Sequence, residues 1–254
     1  MWGKNTLIMR ILKKKVTMND QELKNLTFIV TGCSSGIGEA FCKYAKLQES
    51  NTSKYKKIKV IGIDKNLCNL NLDEFYQCDI SIKDKLPDLE LDNLTDVILV
   101  NNAGIQEGSE EKVIETNLLG LIYCTEKYVF NSNLNVISVV NLASVSAHNG
   151  AEFPSYTASK GGVLSYTINT AKRMAPNGIC NSLSFGGVIT PLNKPVVDDL
   201  CKWFKVMNET PMRKWMSAQE AAEWIWWVGV CNKSMTGQDI IVDNGEFFNH
   251  NFVW

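Results

Sequence analysis

Short apolar runs alternate with helical patterns along almost the whole chain, and this alternation limits the possible folds more than any other feature. The apolar runs predict strands at 26–30, 59–63, 96–100, 137–142, 180–184 and 240–242. The helical patterns predict helices at 36–47, 112–130, 155–174, 196–206 and 218–230. Strands that are apolar throughout and separated by helices form parallel sheets covered on both faces. The sequence therefore predicts an α/β fold, a doubly wound parallel sheet with helices on both faces.

Length and composition fit one such domain and argue against several partners. The 254 residues are 45% hydrophobic, and 26 basic against 27 acidic residues give a net charge of −1. A nearly neutral chain lacks the field that attracts nucleic acid or an anionic membrane. No apolar run reaches the roughly 18 residues that a bilayer requires. We therefore expect a single domain over 18–254, with no nucleic-acid and no membrane partner.

The first 17 residues have a different character. Residues 2–16 carry five basic side chains and no acidic one around two short apolar runs. We expect residues 1–17 to be a disordered basic extension. A membrane-surface helix is an alternative, and a signal peptide is disfavoured because the apolar stretch is short and no small-residue cleavage site follows it.

The chain has eight cysteines and two histidines, His148 and His250. The cysteines are scattered and form no CxxC pair, so neither a metal site nor a disulfide framework is expected. So many free thiols suit a reducing compartment. We therefore expect a cytoplasmic protein.

A glycine-rich turn follows the first predicted strand. Residues 31–38 read Thr-Gly-Cys-Ser-Ser-Gly-Ile-Gly and lead directly into the first predicted helix. Glycines allow a tight turn and the close approach of a pyrophosphate, and the start of a helix offers free N–H groups to an anion. The turn predicts a dinucleotide site on a sheet of the Rossmann type.

Asp64 ends the second predicted strand. A carboxylate at this position can accept hydrogen bonds from the ribose hydroxyls of adenosine, and it repels a 2′-phosphate. This favours NAD over NADP as the cofactor. Lys65 keeps NADP possible, because a neighbouring cation can partly compensate. The alternative is a generic strand–turn–helix unit with an exposed Asp64.

Tyr156 and Lys160 lie four residues apart in a predicted helix, so their side chains share one face. A nearby ammonium stabilises phenolate, and we expect Lys160 to lower the pKa of Tyr156 from about 10 toward neutrality. Tyr156 would then serve as a general acid or base. This spacing also arises by chance on exposed helices. Its position after a dinucleotide unit, and after Ser144 at a strand end, favours the catalytic interpretation.

Seven motifs in this order, covering most of 26–245, resemble the short-chain dehydrogenase/reductase family. They are the glycine turn, Asn101-Asn-Ala-Gly104, Asn117, Ser144, Tyr156 with Lys160, 184–191, and 236–245. The resemblance implies an NAD(P)-dependent oxidoreductase that interconverts a small secondary alcohol and a ketone by hydride transfer.

The resemblance also implies a role for each site residue. Tyr156 would exchange a proton with the substrate oxygen, Ser144 would hydrogen-bond that oxygen, and Asn117 would anchor a water that links Lys160 to solvent. The implied cofactor-binding residues are Gly32, Ser34, Ser35, Gly36, Ile37, Gly38, Asp64, Asp79, Ile80, Asn101, Ala103, Gly104, Tyr156, Lys160, Gly186, Val188 and Thr190. The implied substrate-binding residues are Ser144, Ser146, His148, Phe153, Tyr156 and Phe185.

Three segments depart from the family pattern or extend it. Phe185 replaces a proline and places an aromatic ring near the nicotinamide or the substrate. Residues 79–117 are shorter than usual, and the acidic, leucine-spaced stretch 79–96 predicts a short exposed helix. Residues 193–211 are predicted to form a lid over the site. Trp203 and Phe204 lie in this lid, and Trp215 follows it. These three aromatic side chains would either cover the site or anchor the lid helix on the core.

Trp224, Trp226 and Trp227 give one predicted helix more aromatic surface than a single core face absorbs. A subunit contact would bury the rest, and the resemblance implies a homotetramer or a homodimer. An alternative function is a catalytically silent dinucleotide-binding regulatory protein on the same fold. The presence of Asn117, Ser144, Tyr156 and Lys160 argues against this alternative, because a protein that only binds a dinucleotide needs no proton-transfer group.

Overall fold

A seven-stranded parallel sheet forms the centre of the molecule in a computed structural model that describes residues 23–92 and 95–248. The extension predicted at 1–17 lies outside the described residues. The strands are β1 (Asn25–Thr31), β2 (Lys57–Asp64), β3 (Glu74–Gln77), β4 (Thr95–Asn101), β5 (Asn135–Leu142), β6 (Ile179–Phe185), β7 (Val188–Ile189), β8 (Met216–Ser217) and β9 (Asp239–Val242). The sheet has the order β3-β2-β1-β4-β5-β6-β9, and β7 pairs with β8 separately. The predicted doubly wound fold is confirmed.

Helices cover both faces of this sheet. They are α1 (Gly36–Leu47), α2 (Glu110–Ile114, Glu115–Leu119, Gly120–Thr125 and Glu126–Phe130 in succession), α3 (Ser146–Asn149), α4 (Pro154–Met174), α5 (Lys194–Val197), α6 (Leu200–Glu209) and α7 (Ala218–Trp226, continued by Trp227–Cys231). The second and fourth segments of α2 and the end of α7 are π-helical.

The alternation of side chains along each strand divides the core into two layers. Phe28 of β1 packs with Phe41 of α1 and Ile225 of α7 on one face. Its neighbour Ile29 packs on the other face, in the cluster that includes Cys124 of α2 and Met174 of α4. Because successive strand residues point to opposite faces, a continuous apolar run is buried on both sides.

The chain leaves β1 toward α1 and leaves β4 toward α2, on opposite faces of the sheet. These two strands are neighbours in register from Asn25 with Thr95 to Thr31 with Asn101. Where two adjacent connections diverge in this way, a crevice opens at the carboxyl ends of the strands. The fold thus places a binding cleft next to residues 31 and 101.

Two local predictions differ in extent from the structure. The short exposed helix expected within 79–96 is a 3-10 helix of three residues, Lys83–Lys85, and the rest of the described segment is not helical. Pro87 breaks the helical pattern, and Leu86 is buried against the layer of α2. The helix predicted at 196–206 is split into α5 and α6, because the Asp199 carboxylate caps the backbone N–H groups of residues 201 and 202.

Candidate active site

One long cleft of about 870 Å³ follows the carboxyl ends of the central strands. The glycine turn after β1 and the end of β2 line it at one end, and the segments after β5 and β6 line it at the other. A cleft of this size and position accommodates an elongated ligand beside a smaller one.

The glycine turn closes tightly on the loop after β4. Gly32 has a φ of 69°, and a Cβ there would lie 2.7 Å from the Cα of Ala103. A Cβ at Gly38 would lie 2.1 Å from the carbonyl oxygen of Gly32. Nδ2 of Asn102 donates to the carbonyl oxygens of Thr31 and Gly32, both at 2.9 Å. Only glycine fits at these two positions of the turn.

The first turn of α1 opens on this part of the cleft. Ser35 precedes the helix, and its side chain makes no capping hydrogen bond. The N–H groups at the start of a helix then keep their capacity to bind an anion. Ser35, Gly36 and Ile37 all line the cleft. The residues present therefore fit the pyrophosphate of a dinucleotide.

Asp64 links the turn to the end of β2. Its Oδ2 accepts from the backbone N–H of Ser34 at 2.9 Å, and its Oδ1 accepts from the backbone N–H of Asn66 at 2.8 Å. Asp64 and Lys65 both line the cleft. Since a carboxylate oxygen accepts more than one hydrogen bond, Asp64 can also receive ribose hydroxyls.

Asp79 and Ile80 line the same end. Burial raises the pKa of Asp79, but hydrogen bonds from Ser81 and Lys112 outweigh it and keep this pKa below its ordinary value. The Lys112 ammonium lies 3.3 Å from Oδ2 of Asp79. The carboxylate thus stays ionised, with its side chain fixed by Ser81 and α2.

At the other end, Ser144, Tyr156 and Lys160 line the cleft together. Burial raises the pKa of Tyr156 above its ordinary value, the Glu152 carboxylate raises it further, and a hydrogen bond with Ser144 lowers it. The prediction that Lys160 lowers the pKa of Tyr156 is therefore wrong for the side chains of this structure. At neutral pH the phenol is protonated, and it can act as a proton donor.

The Lys160 ammonium was expected to act on the Tyr156 phenol, but its hydrogen bond goes to the backbone at the end of β5. Its Nζ lies 5.7 Å from the centre of the Tyr156 ring and donates to the carbonyl oxygen of Leu142 at 2.7 Å. Burial lowers the pKa of this lysine to about 8, against a small opposing effect of Glu152. Lys160 is thus held by the end of β5, with its ammonium buried next to the phenol.

Asn117 lies in the π-helical segment Glu115–Leu119 of α2 and is buried. Its Oδ1 accepts from the N–H of Ile105, and its Nδ2 donates to the carbonyl oxygen of Ile105, both at 2.8 Å. Nδ2 also donates to the Ser159 hydroxyl at 3.2 Å. The side chain therefore clamps the loop after β4 to α2 and α4. A π-helical turn often marks a functional position.

Most of the expected site residues line the cleft. They are Gly32, Ser35, Gly36, Ile37, Asp64, Asp79, Ile80, Ala103, Gly104, Ser144, Ser146, Phe153, Tyr156, Lys160, Phe185, Gly186, Val188 and Thr190. Five others do not reach its lining. They are Ser34, Gly38, Asn101, Asn117 and His148.

For two of these five residues, Asn101 and His148, the structure shows why the predicted role is wrong. The amide of Asn101 is buried and donates to Thr125 and Asn141, because alternation along β4 turns it into the sheet layer and leaves Asn102 beside the cleft. Nε2 of His148 lies 2.8 Å from Oδ2 of Asp239. That contact directs the ring toward β9, so His148 does not face the substrate end.

Several lining residues were missed by sequence reasoning, among them Asn102, Glu152 and Glu246. Asn102 was detectable, because it follows the last residue of β4 and must face opposite to Asn101. Glu152, in the loop just before Tyr156, belongs to no motif, and Glu246 is brought to the cleft by a turn after the last strand, so neither gave a signal. Of the lid aromatics, Trp215 lines the cleft and packs edge-to-face on Trp203 at 5.4 Å, whereas Phe204 is exposed.

Within 23–92 and 95–248, no helix is long and apolar enough to span a bilayer. Over the same ranges, no group of three or more His, Cys, Asp or Glu side chains is arranged to hold a metal ion.

The doubly wound sheet, with its cleft at the carboxyl ends of the strands, defines a protein of the Rossmann type, a fold in which dinucleotides bind at this position. A family profile described as short chain dehydrogenase matches residues 26–200. The chain belongs to the short chain dehydrogenase family, whose members use NAD(P).

Curated relatives and solved structures agree with this assignment. The 3-oxoacyl-acyl-carrier-protein reductase FabG of Staphylococcus aureus is 26% identical over 86% of this chain and 97% of its own. The NAD(+)-dependent 15-hydroxyprostaglandin dehydrogenase of Bos taurus is 32% identical over 66% of this chain and 70% of its own. The aldohexose dehydrogenase of Thermoplasma acidophilum superposes with a TM-score of 0.75 at 25% identity, covering 91% and 98% of the two chains.

Proposed function

We propose that this chain interconverts a small secondary alcohol and a ketone by hydride transfer, with NAD preferred over NADP. The observation that carries the proposal is the convergence of Ser144, Tyr156 and Lys160 on one end of a cleft whose other end holds the glycine turn and Asp64. A dinucleotide extended between these ends supplies the hydride acceptor or donor when bound.

The side chains at the reacting end supply proton transfer and orientation. A protonated Tyr156 donates its proton to the oxygen of a ketone as the carbonyl is reduced. Ser144, whose Oγ lies 2.7 Å from that of Ser146, donates a hydrogen bond to the same oxygen. Lys160 contributes a positive charge beside the phenol and a donor for ribose hydroxyls.

Asn117 acts in this proposal as a positioning residue. Its side chain already bonds both backbone groups of Ile105. A Cβ at the preceding Gly104 would lie 3.3 Å from Oδ1 of Asn117 and 3.6 Å from Nζ of Lys160. The clamp therefore fixes the loop that packs against the Lys160 ammonium. This role differs from the water-anchoring role that the family resemblance implies.

Asp64 supports the preference for NAD. The Asp64 carboxylate is held in place by hydrogen bonds from the backbone N–H groups of residues 34 and 66. A ribose 2′-hydroxyl can donate a further hydrogen bond to it, whereas a 2′-phosphate would be repelled by its negative charge. Lys65 lies beside it and keeps some binding of NADP possible.

Self-association and a reducing compartment belong to the same proposal. Trp224 and Trp227 pack edge-to-face at 6.1 Å and remain 38% and 47% exposed, whereas Trp226 packs on Phe28. Such an exposed aromatic pair supports a homotetramer or homodimer, which a sizing measurement tests. All eight cysteines are unpaired, six of them at least partly buried, which supports a cytoplasmic location.

The testing experiment follows cofactor oxidation with NADH and NADPH across a panel of ketones. We expect turnover with at least one ketone, and faster turnover with NADH. Tight NADH binding without turnover on any ketone would instead support the silent dinucleotide-binding protein.

A further inference from the structure

Glu246 brings a carboxylate to the substrate end of the cleft that the proposed proton transfer does not use. The chain reverses after β9 through Asn244 and Gly245, whose φ values are 56° and 91°. Asp243 fixes this turn by accepting from the N–H groups of residues 245 and 247 at 2.9 and 2.7 Å. The turn places Glu246 over the end of β6.

The Glu246 side chain is fixed where it meets the segment after β6. The N–H of Gly187 donates to both carboxylate oxygens, at 3.2 and 3.0 Å. A Cβ at Gly186 would lie 2.5 Å from Oε2 of Glu246. The absence of a side chain at residue 186 is therefore what admits the carboxylate.

An indole ring forms the adjoining part of this wall. A Cβ at Gly187 would lie 2.0 Å from Cε2 of Trp215, so the ring packs directly on the glycine backbone. Trp203 of α6 holds the ring edge-to-face at 5.4 Å. The cleft thus combines a fixed carboxylate with an adjacent aromatic surface.

The carboxylate retains capacity for further donors. Burial raises the pKa of Glu246 and the Asp243 charge adds to this, while the hydrogen bond from the Gly187 N–H acts in the opposite direction. The Thr210 hydroxyl lies 3.5 Å from Oε1 but donates to the carbonyl oxygen of Val206 at 2.9 Å. Since a carboxylate accepts about four hydrogen bonds, a ligand hydroxyl can still bind it.

The carboxylates at this end of the cleft disfavour an anion, and the Lys160 ammonium is already bound by the Leu142 carbonyl oxygen. Glu152 also lines the cleft, and its amide partner is Gln106 rather than a cation. Lys202 lines the cleft too, but it is exposed and lies 3.8 Å from the Asp199 carboxylate. A carboxylate or phosphate on the substrate would meet Glu246 in a partly desolvated site, where like charges repel strongly.

We infer that Glu246 and Trp215 select a neutral, polyhydroxylated substrate, with a hydroxyl donating to Glu246 and a C–H face on the indole. This inference rests on the proposed function for the identity of the site. It names the substrate class, polyols and sugars without an acid group, and it makes Glu246 a specificity-determining residue.

The test measures binding without turnover. Sorbitol and gluconate differ at one chain end, CH₂OH against COO⁻, and neither is oxidised when the bound cofactor is NADH. Thermal unfolding with saturating NADH gives the affinity of each from the rise in midpoint. The variants are Glu246→Gln and Glu246→Lys, with Glu223→Gln on the exposed side of α7 as the control.

We expect the natural chain and the control to bind sorbitol at least about tenfold more tightly than gluconate. Glu246→Gln should bring the two affinities close together, and Glu246→Lys should favour gluconate. NADH affinity, read by fluorescence, should be unchanged in Glu223→Gln and within about twofold of the natural chain in Glu246→Gln, whose amide oxygen still accepts from the Gly187 N–H.

Three results would overturn the inference: equal or tighter binding of gluconate by the natural chain, an unchanged ratio in Glu246→Gln, or no binding of either polyol. Each leaves hydride transfer to other ketones intact. Loss of NADH binding by the natural chain would instead refute the proposed function.

Discussion

Replacing Lys160 by methionine should change how stability depends on pH. Burial lowers the pKa of this lysine from 10.5 to about 8, which corresponds to roughly 3 kcal/mol of unfavourable free energy when the ammonium is charged. Methionine removes this cost but leaves the Leu142 carbonyl without its donor, which costs about 1–3 kcal/mol. At neutral pH we therefore expect Lys160→Met to be as stable as the natural chain or slightly more stable.

The sign of the pH dependence follows from proton binding. Between about pH 8 and the ordinary lysine pKa, the unfolded chain holds a proton that the folded chain has lost, so this residue stabilises the fold as pH rises, by up to about 1.4 kcal/mol per pH unit. Buried thiols such as Cys124, whose pKa burial raises, act in the opposite direction in both proteins. The difference between variant and natural chain isolates residue 160.

The assay is urea unfolding without added cofactor at several values from about pH 7 to about pH 10. Relative to Lys160→Met, the natural chain should gain stability over this range. Lys172→Met, on the exposed side of the same helix, should run parallel to the natural chain. Parallel curves for Lys160→Met and the natural chain would refute the buried-ammonium reasoning.

Three further substitutions test other parts of the cleft. Asp64→Ala should reduce the preference for NADH over NADPH by about tenfold, read as a ratio of kcat/KM values; an unchanged ratio would assign the preference to Lys65 or another group. Gly38→Ala should abolish NADH binding by fluorescence titration, because its Cβ would lie 2.1 Å from the Gly32 carbonyl oxygen, and retained binding would contradict the tight turn. Asn117→Ala should lower kcat by about tenfold or more while NADH affinity changes little; restored activity in Asn117→Asp would contradict the clamp, since Asp cannot donate to the Ile105 carbonyl.

Periodicity predicted the sheet well because each central strand is buried on both faces. Residues 26–30 and 96–100 are apolar except for Thr27 and Asp96, and they match β1 and β4 to within one residue at each end. The edge strand Glu74–Gln77 was missed, since its residues are only half-buried and carry no apolar run. The helix expected within 79–96 is limited to Lys83–Lys85, because the leucines that follow pack against α2 from an extended segment rather than from one helix face.

The site was predictable where local sequence determines geometry. The glycine turn and the Tyr156–Lys160 pair each lie within a single turn or helix, so spacing alone predicted the turn and the helix face that the pair shares. The direction of Lys160 was not predictable, because it depends on the free carbonyl at the end of β5. Glu246 depends on a turn after the last strand and on two glycines 59 and 60 residues earlier, a pairing that no local pattern reveals.

The most direct measurement compares Tyr156→Phe with the natural chain under conditions in which both are saturated with NADH. Phenylalanine keeps the ring and removes the proton donor. We predict equal NADH affinity and a fall in ketone turnover of at least about a hundredfold. Turnover that persists within a few-fold of the natural rate would contradict the assignment of Tyr156 as the group that protonates the substrate.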